Sequence, residues 1–212
     1  EITTILQKEF SLDPEVFGTL ETGTADNPAI TKESVHHFYK FVSGSALQRP
    51  AWFFDVEQQG EGIVDVTTHL VDLVQWECFP GQIIHYATDI EVNEAKRWPT
   101  NITPAEFKEV TKLPAYPEFL KKDIQDSILQ VYANGEIHYT IRGVHAKVSV
   151  IWNYKAPEGG GDTHFSRMRG TRANLIIRQG REQNFKPTLY IEPVGQVNDK
   201  EYTRLLSEGV KK

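Results

Sequence analysis

SILQVYANGEIHYTIRG, residues 127–143, is the stretch that decides the fold. Two β-rich runs flank Asn134-Gly135, the dipeptide most favoured in a type I′ turn, so the sequence predicts a hairpin there. Further short runs follow at AKVSVIWNY (146–154), THFSRMRG (163–170), ANLIIRQG (173–180) and PTLYIEPV (187–194), each bounded by turn residues. Strands joined this closely pair mostly antiparallel, because parallel neighbours need crossovers of about a dozen residues. The last polar segment, VNDKEYTRLLSEGVKK, starts a helix at Asn198.

Working back from that sheet, the earlier half reads mainly as helices. EITTILQKEF has no initiator Met and places Ile2, Ile5, Leu6 and Phe10 at helical spacing. The expectation is a helix cut from a longer parent, a processed secreted protein being the other reading. Asp13-Pro14 breaks that helix, and VFGTLETG (16–23) is apolar enough for a strand. TKESVHHFYKFVSG (31–44) fits both periods, and Gly44 after Ser43 suits a helix C-terminus, so helix is the reading. PAWFFDV (50–56) reads as a strand, as does IIHYATDIEV (83–92), which alternates Ile84, Tyr86, Thr88, Ile90 and Val92. In TPAEFKEV, Thr103 as N-cap, Pro104 and Glu106 spell a capping box. No repeat or low-complexity tract divides the chain. The expected architecture is one α+β domain over residues 1–212, an open, predominantly antiparallel sheet with helices packed on one face.

Composition narrows the function classes. The 212 residues are 39% hydrophobic, enough for a real core, and the net charge of -6 opposes binding to a phosphate backbone. No apolar run reaches the ~20 residues that span a bilayer. The single cysteine, Cys78, can form neither an internal disulfide nor a thiolate zinc site, and is expected as a small buried hydrophobe. Compartment is not readable.

One helix stands out. In GEGIVDVTTHLVDLVQWE (60–77), Asp65, His69, Asp72 and Trp76 fall within an arc of about 60° at roughly 100° per residue, while Val66, Leu70, Leu73 and Val74 supply an apolar face. A solvated face ordinarily draws on Lys, Arg and Glu, yet no basic residue occurs between Arg49 and Lys96. Asp and His one turn apart suit proton chemistry: imidazole titrates near neutrality and can take the proton of a hydroxyl, and a carboxylate beside it can orient the ring or hold a substrate hydroxyl.

The run Gly-x-Gly…Asp-x-x-x-His-x-x-Asp, here Gly60, Gly62, Asp65, His69 and Asp72, resembles the signature of the Gfo/Idh/MocA oxidoreductases, relatives of glucose-fructose oxidoreductase and inositol dehydrogenase. MRGTRANLIIR is similar to that family's late strand pair. The resemblance implies the carboxy-terminal domain of an NAD- or NADP-dependent enzyme acting on a sugar or cyclitol hydroxyl. The nucleotide would be bound mainly by a preceding Rossmann domain, and the sheet would mediate homo-oligomers. It also implies His69 and Asp65 as catalytic residues, with Asp72 and Trp76 near substrate. The family's Rossmann glycine loop has no counterpart here: GEGIVD lacks the third glycine, and EGGGDT fails as well. Its Glu-Lys-Pro motif is also missing, because Phe185-Lys186-Pro187 lies in the sheet half. Some relatives cleave glycosides through transient oxidation, and that reaction stays open.

Of the other histidines, His164 follows the flexible EGGGD loop and is a candidate substrate contact together with Arg167. His36 and His37 would diverge by about 100° on a helix and could not face one site. His85, His138 and His145 read as sheet or surface residues. Two rivals remain: a metal-assisted hydrolase built on Asp65, His69 and another histidine, weakened by the lack of a His-x-x-x-His pair, and a non-catalytic binding or oligomerisation module.

Overall fold

The four strands predicted after residue 145 are present, the two predicted around Asn134-Gly135 are one strand, and the sheet's central strand comes from the segment read as helix. The computed structural model describes residues 1–195 and 199–209. Along the chain run α1 (Ile2–Ser11), β1 (Ile30–Tyr39), β2 (Phe41–Val42), β3 (Ser45–Ala46), α2 (Val56–Gln59), α3 (Val66–Cys78), α4 (Tyr86–Asp89), β4 (Ile90–Ile102) and α5 (Pro104–Thr111). There follow β5 (Ile124–Gln125), β6 (Ile128–Ile141), β7 (Val144–Lys155), β8 (Thr163–Arg169), β9 (Ala173–Gln179), β10 (Thr188–Pro193) and α6 (Asp199–Gly209). The expected helix start at Asn198 lies outside the described residues.

The sheet order is β10-β9-β8-β1-β7-β6-β4, with β5 beside β6. All pairs are antiparallel except β1 with β7. β1 is therefore inserted between β7 and β8, which adjoin in sequence but not in space. That insertion explains the misread segment: its helical spacing is incidental, because a central strand is covered on both faces and needs no clean alternation. Ile30, Lys32, Ser34, His36 and Phe38 face the helices, and Thr31, Glu33, Val35, His37 and Tyr39 the other side. Among the described residues no helix is long and apolar enough to cross a membrane.

Three other expectations change. Residues 50–56 form a 3-10 turn, Ala51–Phe54, running into α2, whose N-cap Asp55 accepts the Glu57 N–H. Residues 16–23 make only isolated bridges, Leu20 to Gly170 and Gly23 to Pro28. Residues 83–92 spend Tyr86–Asp89 on one helical turn before β4 begins. The Thr103 capping box forms as read, with the Thr103 N–H donating to Glu106 at 2.8 Å.

The hairpin is eight residues later than predicted. β6 runs straight through Asn134-Gly135 and turns at Arg142-Gly143, where φ is 50° and 79°. Asn134 is buried, donating to the Trp98 and Thr100 oxygens at 3.0 and 2.8 Å and accepting the Trp152 N–H at 2.7 Å. It braces β4 and β7 across β6, beside a bulge in the β4 pairing. Gly135 leaves room for Ile63, and a Cβ on Gly62 would sit 1.7 Å from the Ala133 carbonyl oxygen. Both glycines thus serve the close approach of the α3 entry loop to β6.

One ion pair joins these layers. Lys32 Nζ lies 2.8 Å from Glu77 Oε2 on α3, with the side chains 1% and 0% exposed. Lys32 also donates to Ser166 Oγ at 2.8 Å, Ser166 donates to Gln7 Oε1 at 2.8 Å, and the Gln7 amide donates to the Leu175 carbonyl at 2.9 Å. α1, α3, β1, β8 and β9 are so linked. Burial pushes the Glu77 carboxyl up, opposed by Lys32, and burial pushes the adjacent Cys78 thiol up to about 12.

Lys32→Met strands a buried carboxylate, so it should cost about 3–5 kcal/mol in urea unfolding at pH 7. The deficit should shrink toward acidic pH, since Glu77 can then enter the core protonated. Lys32→Met with Glu77→Leu should regain most of the loss. A double variant as unstable as Lys32→Met alone would show that the charges themselves are required.

Candidate functional site

α3 divides its two faces as its sequence requires. Thr67, Leu70, Val74 and Glu77 are buried against the sheet, with Val66, Val71 and Cys78 packed at the margin. This differs from the expected Val66, Leu70, Leu73, Val74 face by admitting Thr67, which donates to the Gly62 carbonyl at 3.0 Å, and Glu77. The opposite face carries His69 and Asp72, both exposed, and Trp76, 41% exposed. Neither His69 nor Asp72 is held by another described residue. Trp76 lies under Lys8 of α1, whose Nζ is 5.1 Å from the ring centroid, so one cation does reach the stripe.

Asp65 is the N-cap of α3, half-buried, and its carboxylate accepts the Gln59 amide at 3.2 Å. It does not bond His69. It lines a small cleft with Gln59, Gly60, Gly62, Phe53 and Trp152. The Asp65-to-His69 spacing thus brings two polar groups to one side of α3 without joining them.

Trp152 connects this cleft to a polar cluster that the sequence reading missed. The Trp152 ring stacks on His36 at 4.9 Å, and the Arg49 guanidinium lies 4.0 Å from the Phe53 ring and 5.2 Å from the Trp152 ring. β8 stops pairing with β1 at Val35, and Arg49 takes up the freed carbonyls, donating to Phe38 and His37 at 2.9 and 3.2 Å. Asp162, just before β8, accepts from Lys40 and from His36 Nδ1 at 3.2 Å, with His37 Nδ1 3.3 Å away. Burial works against its charge, but the bonds from His36 and Lys40 outweigh that and hold the carboxyl well below the usual range. The sequence held only its fragments, Ser34 two residues before His36 and an aspartate ending a glycine loop, and they connect only once residues 30–39 are known to be a strand.

His164 lies on β8 directly opposite Ser34, on the helix-facing side. Burial, with Lys32 adding to it, pushes its pKa down to about 4, so the ring is neutral. Arg167 does not join it, because residues three apart on a strand face opposite sides. Arg167 donates instead to Asn27 Oδ1 and the Pro28 carbonyl at 3.1 and 3.3 Å, on the other face of β8 from His164. Among the described residues no group of three or more His, Cys, Asp or Glu side chains comes together to hold a metal. Nor do they form a pyrophosphate cradle: Gly62 is spent on contact with β6, and Gly159, Gly160 and Gly161 lead into a strand rather than a helix N-terminus.

Residues 6–212 match the family model "Putative oxidoreductase C terminal domain". The crystal structure of a "putative oxidoreductase" from Parabacteroides merdae ATCC 43184 is 58% identical, with a TM-score of 0.95 over 100% of this chain and 48% of that one. The chain therefore spans about half the length of that protein. A Thermotoga maritima structure of the same description is 14% identical over 97% of this chain and 50% of that one, with a TM-score of 0.43. A levoglucosan dehydrogenase solved with NADH and levoglucosan is 11% identical over 98% and 56%, also at 0.43. At that level neither carries an argument about this chain. No curated protein matches it.

A neutral, half-buried His164 makes stability depend on pH. Its folded pKa lies below the ordinary 6.5, so its contribution is complete above about pH 6.5 and is lost as pH falls toward 4. The full shift corresponds to about 3 kcal/mol. Urea unfolding between pH 7 and 4.5 should therefore show falling stability, and His164→Gln should flatten that slope. Equal slopes in the two proteins would place the titration elsewhere.

Proposed function

The chain belongs to the family of oxidoreductase C-terminal domains of the Gfo/Idh/MocA type, and from that premise we propose that His69 is the proton acceptor of an enzyme oxidising a sugar or cyclitol hydroxyl. The observation that carries this reading is the division of labour on α3. Its buried face packs on the sheet, and its other face presents His69 and Asp72 with no partner among the described residues. An imidazole free of hydrogen bonds can approach a substrate hydroxyl and remove its proton.

Asp65 acts on the substrate rather than on the ring. Anchored by Gln59 at the mouth of the cleft, its carboxylate can accept from a second hydroxyl and set which carbon faces His69. Asp72 and Trp76 border the same face, the tryptophan offering a flat surface to a sugar ring. His164, neutral and on the helix-facing side of the sheet, is a further substrate contact. On this reading NAD or NADP is held mainly by a nucleotide-binding domain outside this chain, which spans about half the length of its 58% identical relative. The bound nicotinamide would supply the acceptor for hydride.

Two measurements test this. Titrating NADH fluorescence with the 212-residue chain should give no micromolar binding, and tight binding would relocate the nucleotide site. In the longer protein that contains this domain, His69→Ala should lower kcat by ~10²–10⁴-fold with a polyol or sugar substrate. Its stability should stay within about 0.5 kcal/mol of wild type, as for an exposed side chain. Asp65→Asn should weaken substrate binding as well as turnover. Unchanged turnover in His69→Ala would remove the histidine from the chemistry.

A further inference from the structure

We propose that Ser34, His36 and Asp162 form a nucleophile, base and carboxylate that transfer the acyl group of a small ester, an activity separate from the oxidoreductase reading, which uses none of these three residues. Ser34 and His36 are two apart on β1 and share the helix-facing side. Ser34 Oγ lies 3.1 Å from His36 Nε2, and His36 Nδ1 lies 3.2 Å from Asp162 Oδ2.

The protonation pattern follows from the partners. Asp162 is ionised and can only accept, so Nδ1 of a neutral His36 carries the proton and donates it to Asp162. Nε2 is then the bare nitrogen and accepts the Ser34 O–H. That is the arrangement in which an imidazole draws the proton from a hydroxyl as it attacks. The ring is held by Trp152, stacked at 4.9 Å and 27°. The charged and titratable groups around it are Lys40, His37 and Arg49 at Asp162, and His164 beside Ser34. A tether for the 156–162 loop needs only the contacts of Asp162 with His37 and Lys40. A serine on the far nitrogen adds nothing to that tether.

His164 stands across the β1–β8 pair from Ser34 on the same face; its ring is bonded to the Glu33 backbone, so it walls the group without donating to a substrate oxygen. Ser34 is only 7% exposed, whereas the His36 side chain is 23% exposed. Approach is thus along the His36 ring and admits a small acyl group. In the step itself, Ser34 Oγ bonds to the ester carbonyl carbon and its proton passes to His36 Nε2. The tetrahedral adduct collapses, the alkoxide leaves with that proton, and water releases the acid by the same route in reverse.

The test uses diisopropyl fluorophosphate as a small phosphorylating probe, read by intact mass and peptide mapping, with p-nitrophenyl acetate as ester. One adduct per chain on Ser34 is expected, absent in Ser34→Ala and formed at least ~100-fold more slowly in His36→Gln. Asp162→Asn should slow it too. No adduct, an adduct on another residue, or wild-type labelling in His36→Gln would overturn the proposal. Should Ser34→Ala not fold, the wild-type peptide map and the His36→Gln rate decide: the adduct must sit on Ser34, and an adduct elsewhere or an unchanged rate overturns the assignment. Labelling of Ser34 does not involve His69 or a nicotinamide, so its outcome is independent of the dehydrogenase test.

Discussion

The buried Lys32–Glu77 pair is the constraint around which the rest is arranged. Two charges removed from water cost several kcal/mol each, and their attraction offsets this only when the remaining polar atoms are also occupied. Lys32 meets that condition through Ser166, and Ser166 passes the requirement to Gln7, whereas Glu77 Oε1 is buried with no hydrogen-bond partner among the described residues, so Lys32 is the carboxylate's main support. The consequence is geometric. α3 must cross β1 with Glu77 over Lys32, and α1 must lie where Gln7 reaches β8 and β9. Hydrophobic burial alone would let either helix slide along the sheet. A hydrogen-bonded charge pair allows one position, and that position fixes the rotation of α3 and hence the direction in which His69 points.

Much of this was legible and some was not, for identifiable reasons. Short strands bounded by turn residues announce themselves, and β7, β8, β9 and β10 appear where the sequence places them, as does the Thr103 cap. β1 was misread because a central strand draws its pattern from two covered faces, and because its parallel partner lies more than a hundred residues away. Local periodicity contains neither fact. Asn134-Gly135 misled for another reason. The propensity for a type I′ turn is real, but the Asn134 amide gains three buried hydrogen bonds to neighbouring strands by staying extended. Tertiary satisfaction of a polar side chain overrode a local preference.

The candidate residues divide along the same line. His69, Asp65 and Asp72 could be proposed together because they share one helix, where spacing translates directly into a common face. The cluster at His36 could not, since it joins β1 to a loop that arrives after Lys155 and is read correctly only once β1 is known to be a strand. With β1 taken as a helix, His36 and His37 point apart and Ser34 is unrelated to either. Glu77 carried a usable signal: an acidic residue on the buried stripe of Leu70 and Val74 demands a partner, although nothing local marks Lys32, which sits among polar residues of β1, as that partner.

The two polar groupings also differ in what the fold asks of them. His69 and Asp72 bear no structural load, so their identities are set by whatever meets that face. The residues around Asp162 bear a load, because they close the gap where β8 falls short of β1 and satisfy carbonyls that would otherwise be orphaned. Arg49 and Lys40 are sufficient for that closure, since each reaches its partner without help from Ser34. The Ser34–His36 bond is therefore the part of the cluster that closing the sheet leaves unexplained, and it lies on the face that α3 and its exposed stripe also border.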